Sequence, residues 1–247
     1  MSTDLTVIVT VHDETLVCGP TMRSAEAAIG AAEQQGHTVQ RVISLDRATP
    51  ATTDFFAQSR FDGWERKVMD EGDLGRVRNA LLPDTEGEFV AFLDADDLFS
   101  ENWLAASLAR LRAGKEEGRR QIAHPEVNVV FDADRSVLVN RDQSSPLFTP
   151  YYFYVRNYYD ALVVAPREAH LEVPYGSNDL SEGVGFEDWQ FALESMDAGW
   201  EHIVVPDTII FKRRRDTSLV VESSSRKTVV RPVAALAIDA VADLNHR

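Results

Sequence analysis

One short segment, residues 89–98 with the sequence FVAFLDADDL, constrains the fold of this chain most. Its apolar first half contains Phe and Val and is typical of a β-strand buried on both faces of a sheet. Three carboxylates follow directly, at Asp94, Asp96 and Asp97. Because ligands of open α/β sheets bind at the carboxyl ends of the strands, this position predicts a binding site. The alternative is a solvated acidic turn, since Asp is common in turns.

The chemistry of the three carboxylates indicates what this site binds. Clustered carboxylates repel one another and are costly to bury unless a cation joins them. Ligand sets made only of oxygen suit Mg²⁺ or Mn²⁺. Such an ion, held by few carboxylates, completes its coordination with water and the phosphates of a substrate. The cluster therefore predicts a metal-dependent site for a phosphorylated substrate.

Composition and charge exclude several functions. The net charge of −15 argues against a general affinity for nucleic acid or anionic lipid. No apolar stretch approaches the ~20 residues of a membrane span, and the first residues do not resemble a signal peptide. We therefore expect a cytoplasmic protein with no transmembrane segment. Because Cys18 is the single cysteine, an internal disulfide and a cysteine-based zinc site are excluded.

Strands and helices alternate in the first half of the chain. Apolar runs predict strands at residues 6–11, 39–45 and 89–93, and helical spacing predicts helices at residues 21–35, 73–82 and 100–112. This alternation indicates an α/β fold with a Rossmann-like, mostly parallel sheet.

The pattern changes after Gly114. A hairpin is predicted at residues 127–139, and two short strands at residues 203–205 and 208–211. The alanine-rich residues 229–244 predict a C-terminal helix. We interpret the chain as a single domain, residues 1–247. Its parts are a nucleotide-binding half at residues 1–115, an acceptor-binding half at residues 116–215 and a tail at residues 216–247.

The order of these features resembles the inverting glycosyltransferases of family 2, which have the GT-A fold. The likeness covers about residues 5–215. Residues 92–97 (FLDADD) resemble the Asp-x-Asp motif of the family, and residues 185–189 (GFEDW) resemble its later Glu-Asp motif. Residues 75–79 (GRVRN) resemble the glycine-x-x-Arg-Asn helix that precedes the first motif.

The ends of the first two strands depart from the family pattern. Residues 11–14 (VHDE) stand where the family usually has a turn with Pro and Asn before Glu. Asp46 is followed by Arg47 rather than by a second Asp. These positions contact the nucleobase and the ribose in the family, so the resemblance leaves UDP-, GDP- and dTDP-linked donors open.

The resemblance implies a role for each motif residue. Asp96 binds Mn²⁺ or Mg²⁺, together with Asp94, which also contacts the ribose or the water shell of the metal. Asp188 is the general base of the transfer, and Glu187 orients the acceptor or supports the loop. Contacts with the nucleotide sugar are expected at Val11, Asp13, Glu14, Asp46, Arg78, Asp94, Ala95, Arg213 and Arg214.

Physical chemistry supports these roles. Sugar transfer from a nucleotide places negative charge on the leaving diphosphate, and cations must neutralise that charge where it develops. Arg78 and the basic residues 212–215 (KRRR) can supply positive charge. The alternatives are an exposed helix salt bridge for Arg78 and a solvated loop for the basic run. A carboxylate suits the removal of the acceptor proton, and a position at a helix N-terminus predicts that Asp188 is ionised at neutral pH.

Other classes remain open at this point. A strand followed by Asp-x-Asp also begins metal-dependent phosphatases of the haloacid dehalogenase type, although there the motif follows the first strand. A metal-dependent nucleotidyl transferase and a non-catalytic sugar-nucleotide-binding protein are further alternatives. The acceptor, whether a saccharide, a lipid-linked sugar or a small molecule, is not fixed by the sequence, because acceptor loops vary freely.

Overall fold

A computed structural model describes residues 3–215, 223 and 225–245 of the chain. The strands are β1 (Thr3–Val11), β2 (Val39–Asp46), β3 (Glu65–Met69), β4 (Gly87–Asp94), β5 (Leu98–Phe99), β6 (Gln121–Asp132), β7 (Ser136–Val139), β8 (Val164–Pro166), β9 (Val184–Gly185), β10 (Glu201–Arg214) and β11 (Val229–Val230). The helices are α1 (Cys18–Gln34), α2 (Pro50–Phe56), α3 (Leu74–Leu81), α4 (Trp103–Glu116), α5 (Arg167–Glu172) and α6 (Glu187–Asp197).

The main sheet has the strand order β3-β2-β1-β4-β8-β6-β10-β5, with β7 paired to β6. Strands β3, β2, β1 and β4 are parallel neighbours. Strand β8 is antiparallel to both β4 and β6, and β10 is parallel to β6. Strands β4, β6 and β10 therefore run in one direction, and their carboxyl ends lie at the same edge of the sheet. The predicted α/β fold with a mostly parallel sheet is confirmed.

Apolar side chains cover both faces of this sheet. One cluster packs β1 and β4 against α1 and α4, with Ile29 and Trp103 fully buried. A second cluster packs the other face against α3 and α6 through Val77 and Phe191. Burial of a large apolar side chain contributes about 1.5–3 kcal/mol, so the two layers fix the central strands on which the candidate site is built.

The prediction of a helix at residues 229–244 is wrong, since the described residues of this segment form other structures. Val229 and Val230 form β11, which pairs with β9. Two short 3₁₀ turns follow, and they bury Val241 and Leu244 against α6. Pairing and packing outweigh the helix propensity of alanine, which is a weak preference. The remainder of the predicted tail, residues 216–222, 224 and 246–247, lies outside the described residues.

The two strands predicted at residues 203–205 and 208–211 are one long strand, β10. Its register with β6 shifts between Val205 and Ile209, and this irregularity accounts for the break that the sequence pattern predicts. The predicted hairpin is confirmed, with β6 and β7 antiparallel and Val129 opposite Val137. This hairpin is part of the main sheet and not a separate sheet, because β6 pairs with β10 as well as with β7.

Candidate active site

Asp94, the last residue of β4, lies at the centre of the candidate site. Its Oδ1 accepts hydrogen bonds from Thr10 Oγ1 at 2.9 Å and from Arg78 Nη2 at 3.2 Å. Burial alone would raise the pKa of Asp94, but Arg78 and Lys212 hold it below its usual value. Within the described part of the chain, no hydrogen bond reaches Oδ2, so this oxygen is available to a ligand.

Arg78 joins the two acidic motifs. Its side chain is 1% exposed, and Nη1 donates a hydrogen bond of 2.9 Å to Oε1 of Glu187. The guanidinium also lies 5.1 Å from the ring centre of Tyr175, within the range of a cation–π contact. The interpretation of Arg78 as an exposed salt bridge is therefore wrong. Its contact with a diphosphate stays a prediction, and both terminal nitrogens already bond to protein carboxylates.

Asp188 is the second residue of the helix α6, directly after Glu187. Phe186, just before the helix, has a left-handed backbone with φ of 64°, which is uncommon for a bulky residue and occurs most often at functional turns. Burial raises the pKa of Asp188 to about 7, with Glu187 and Asp160 adding to the rise. The helix N-terminus favours the ionised form of Asp188, as expected, but desolvation outweighs this effect of the dipole and raises the pKa.

Lys212 lies between the carboxylates of Asp97 and Asp160. Its Nζ lies 3.3 Å from Oδ2 of Asp97 and 3.6 Å from Oδ2 of Asp160. Burial lowers the pKa of Lys212, but Asp160, Asp97, Asp94 and Asp188 together raise it above its usual value. The lysine is therefore charged and is surrounded by carboxylates from both acidic motifs and by Asp160.

Arg215 follows β10 and contacts the other metal-ligand candidate. Its Nε lies 2.9 Å from Oδ2 of Asp96, and its Nη2 donates a hydrogen bond of 3.2 Å to Oε1 of Glu14. The second oxygen of Glu14 accepts the backbone N–H groups of His12 and Asp13. Burial raises the pKa of Asp96, and Asp94 adds to this effect while Arg215 opposes it.

The donor set fits a hard divalent cation. Asp94 and Asp96 offer carboxylate oxygens, which suit Mn²⁺ and Mg²⁺. Among the described residues, no group of three or more His, Cys, Asp or Glu side chains is arranged to hold a metal. If such an ion binds here, these two carboxylates would hold it, and phosphates and water would complete its coordination.

The other predicted site residues lie at or near the same edge of the sheet. Val11 and Ala95 are buried at strand ends, and Asp13 is exposed in the turn after β1. Both oxygens of Asp46 accept backbone N–H groups, those of Glu71 at 2.7 Å and Gly72 at 2.9 Å. This carboxylate therefore shapes the loop after β3.

Arg213 and Arg214 do not share one environment. Arg213 donates to Oδ2 of Asp132 at 2.7 Å, and its guanidinium lies over the ring of Phe131 at 4.7 Å. Arg214 is partly exposed. The contacts of Arg213 and Arg214 with the nucleotide sugar stay predictions. It is the two outer members of the basic run, Lys212 and Arg215, that pair with the acidic motifs.

Sequence reasoning missed Asp160 as a site residue. Its Oδ2 accepts a hydrogen bond from Asn128 at 2.9 Å, and Oδ1 accepts the N–H of Leu162 at 2.8 Å. The available signal was a single carboxylate directly before the apolar run at residues 161–165 (ALVVA). That signal is weak, because an isolated Asp before a strand usually ends a turn.

With this geometry established, comparison with known proteins defines the class. The family model described as glycosyl transferase family 2 matches residues 6–158. The chain therefore belongs to glycosyl transferase family 2. No curated protein matches the chain. Among the described residues, no helix has the length and apolarity required to cross a membrane.

Solved structures show the same fold at low sequence identity. TarS of S. aureus in complex with UDP-GlcNAc is 18% identical, with a TM-score of 0.61, covering 90% of this chain and 61% of that chain. Another TarS structure is 16% identical, with a TM-score of 0.63, covering 86% of this chain and 37% of that chain. GalNAc-T7 with UDP, GalNAc and Mn²⁺ is 17% identical, with a TM-score of 0.57, covering 87% of this chain and 44% of that chain. The chain thus spans less than two thirds of the length of each of these proteins.

Proposed function

We propose that this protein is an inverting glycosyltransferase. It transfers a sugar from a nucleotide-diphosphate donor to a hydroxyl group, with Mn²⁺ or Mg²⁺ bound by Asp94 and Asp96. In this proposal, residues 1–115 bind the nucleotide and residues 116–215 bind the acceptor.

One observation carries this proposal: Arg78 bonds to Asp94 and to Glu187 at the same time. It ties the carboxylate at the end of β4 to the acidic pair at the start of α6. A donor whose diphosphate lies near Asp94 then has its anomeric carbon within the same small region as Asp188. Transfer requires this proximity of donor and base.

Asp188 accepts the proton of the acceptor hydroxyl as that oxygen attacks the anomeric carbon. The new C–O bond forms on the face opposite to the breaking bond, so the configuration inverts and the nucleoside diphosphate leaves with the electron pair. A base with a pKa of about 7 is suited to this task near neutral pH. Glu187, held by Arg78 and by Asn178 Nδ2 at 3.0 Å, positions the acidic pair.

The leaving diphosphate requires positive charge. A divalent cation held by Asp94 and Asp96 would supply Lewis-acid stabilisation of this charge. Lys212 and Arg215 add fixed positive charge at the same edge of the sheet. The GT-A neighbours crystallised with UDP or UDP-GlcNAc favour a UDP-linked donor over GDP- and dTDP-linked donors.

A two-stage experiment tests the proposal. Thermal unfolding is first measured with UDP-, GDP- and dTDP-sugars, each with Mn²⁺ and with EDTA, because a ligand of the native state raises the melting temperature. The stabilising donor is then incubated with saccharide, lipid-linked and small-molecule hydroxyl acceptors, and the anomer formed is assigned by NMR. Stabilisation equal with Mn²⁺ and with EDTA contradicts metal dependence. A product with retained configuration contradicts Asp188 as the base of a single displacement.

A further inference from the structure

We infer that Arg215 competes with the metal ion for Asp96 in the nucleotide-free protein, and binds the donor diphosphate once nucleotide and metal are both present. This inference rests on the proposed function, and it adds a residue that links metal binding to donor binding. Metal and nucleotide should therefore bind cooperatively. Metal alone must displace the ion pair of Arg215 with Asp96, and nucleotide alone must forgo Arg215, which stays in that pair.

The contacts of Arg215 place it where a metal ligand must become available. Its Nε is 2.9 Å from Oδ2 of Asp96, and that carboxylate is only 14% exposed. A divalent cation bound to Asp96 would therefore lie within a few ångströms of the guanidinium. Two cations at such a distance repel strongly where solvent is largely excluded. Metal binding without nucleotide must accordingly weaken the pair of Arg215 with Asp96.

The second contact of Arg215 explains why the pair forms without a ligand. Glu14 is 11% exposed and accepts from Arg215 at 3.2 Å, so the arginine neutralises two nearly buried acids. Glu14 and Asp96 thus share one cation, since the same guanidinium contacts both carboxylates. Without a cation, these two carboxylates would lie close together uncompensated, and Arg215 supplies the missing charge in the nucleotide-free protein.

The position of Arg215 in the chain allows it to change partners. Strand β10 ends at Arg214, which lies opposite Asp132 of β6, so Arg215 is the first residue beyond the β-ladder. Its side chain is 35% exposed, more than the carboxylates it contacts. A diphosphate brought to Asp96 by the metal carries several negative charges and suits the planar fork of donors on arginine.

Direct binding measurements test this inference without an activity assay. Mn²⁺ binding is followed by electron paramagnetic resonance, with and without UDP, for the unaltered chain, for Arg215→Gln and for Arg119→Gln. Arg119 is the matched control, because it loses the same charge from an ion pair with Glu201 at the opposite end of β10. Removing Arg215 should tighten Mn²⁺ binding without nucleotide by about threefold, the size of change expected for a partly exposed ion pair. It should weaken binding of UDP in the presence of Mn²⁺ by roughly tenfold, the loss expected for a charge-assisted bond to phosphate.

Each outcome decides the inference. If Arg215→Gln binds Mn²⁺ alone no better than the Arg119→Gln control does, Arg215 does not compete with the metal. If Mn²⁺ binds more tightly but UDP affinity is unchanged, the transfer of Arg215 to the diphosphate is wrong. If Arg215→Gln binds Mn²⁺ more tightly but the unaltered chain transfers no sugar in the two-stage experiment, the competition is supported and the proposed function is rejected. If no variant binds Mn²⁺ under any condition, both proposals fail.

Discussion

Nη1 of Arg78 lies 2.9 Å from Oε1 of Glu187, although the two residues are 109 positions apart in the sequence. The other terminal nitrogen of Arg78 bonds to Asp94. One buried guanidinium thus holds together the two acidic motifs by which the sequence resembles family 2 glycosyltransferases. The relative placement of Asp94 and Glu187 depends on this residue.

Replacing Arg78 with Met should destabilise the fold and abolish transfer. The substitution leaves Asp94 and Glu187 without their buried counter-ion, a change that typically costs about 3–5 kcal/mol. Urea unfolding measures this loss. The matched control is Arg76→Met, two residues earlier on the same helix, where the side chain is exposed and we expect a change within about 0.5 kcal/mol. Equal stability of the two variants would show that the Arg78 bridge is not structurally important.

Replacing Asp188 with Asn should stop transfer without affecting donor binding. Loss of a general base lowers turnover by roughly 10²–10⁴-fold, whereas the donor contacts lie elsewhere. Turnover and UDP affinity are measured on the same preparation. Asp197→Asn, at the other end of α6, removes the same charge as a control. If Asp188→Asn retained near-normal turnover, Glu187 would become the candidate base.

The rate should depend on pH as expected for a base with a raised pKa. Asp188 accepts a proton only when ionised, and burial raises its pKa to about 7. Turnover at saturating donor, acceptor and Mn²⁺ should therefore fall as the pH drops through about 7, well above the ordinary Asp value of 3.8. A pH profile that stays flat down to about 5 would argue against this environment for the base.

Lys212 should control the position of this acidic limb. Its positive charge lowers the pKa of Asp188, so Lys212→Met should move the limb to higher pH. Lys212→Arg keeps the charge and should return the limb towards its original position. Because Met also leaves Asp97 and Asp160 without a counter-ion, thermal unfolding must show that the variant is folded at the assay temperature. A limb that does not move would mean that Lys212 acts only on Asp97 and Asp160.

Metal dependence of nucleotide binding should disappear when the carboxylate of Asp96 is removed. Asp96→Ala should remove the difference in nucleotide affinity between Mn²⁺ and EDTA, because one of two protein ligands is lost. Isothermal titration with UDP measures both affinities. Glu88→Ala serves as a control, since Glu88 is an acid at the amino end of the same strand region, paired with Lys115. Unchanged metal dependence in Asp96→Ala would exclude this residue as a ligand.

The sequence by itself determined the order and type of the elements that carry the motifs. The apolar run before Asp94 predicted the buried strand β4, and the helix predicted at residues 73–82 is present and capped by Asp73, whose side chain accepts the N–H of Arg76 at 3.0 Å. These features depend on local chemistry: apolar periodicity, capping side chains and turn residues. For that reason the α/β fold and the edge that carries the site were accessible without coordinates.

Only the tertiary structure decided which cation meets which acid. Four adjacent basic residues look equivalent in the sequence, but Lys212 faces Asp97 and Asp160 while Arg213 faces Asp132. This division follows from the register of β10 with β5 and β6, where Phe211 lies opposite Leu98 and thereby brings Lys212 beside Asp97. Such pairings depend on contacts between distant strands, and burial then sets the charge of each group. A local sequence pattern contains neither quantity, so the raised pKa of Asp188 and the pair of Arg215 with Asp96 became visible only in the folded chain.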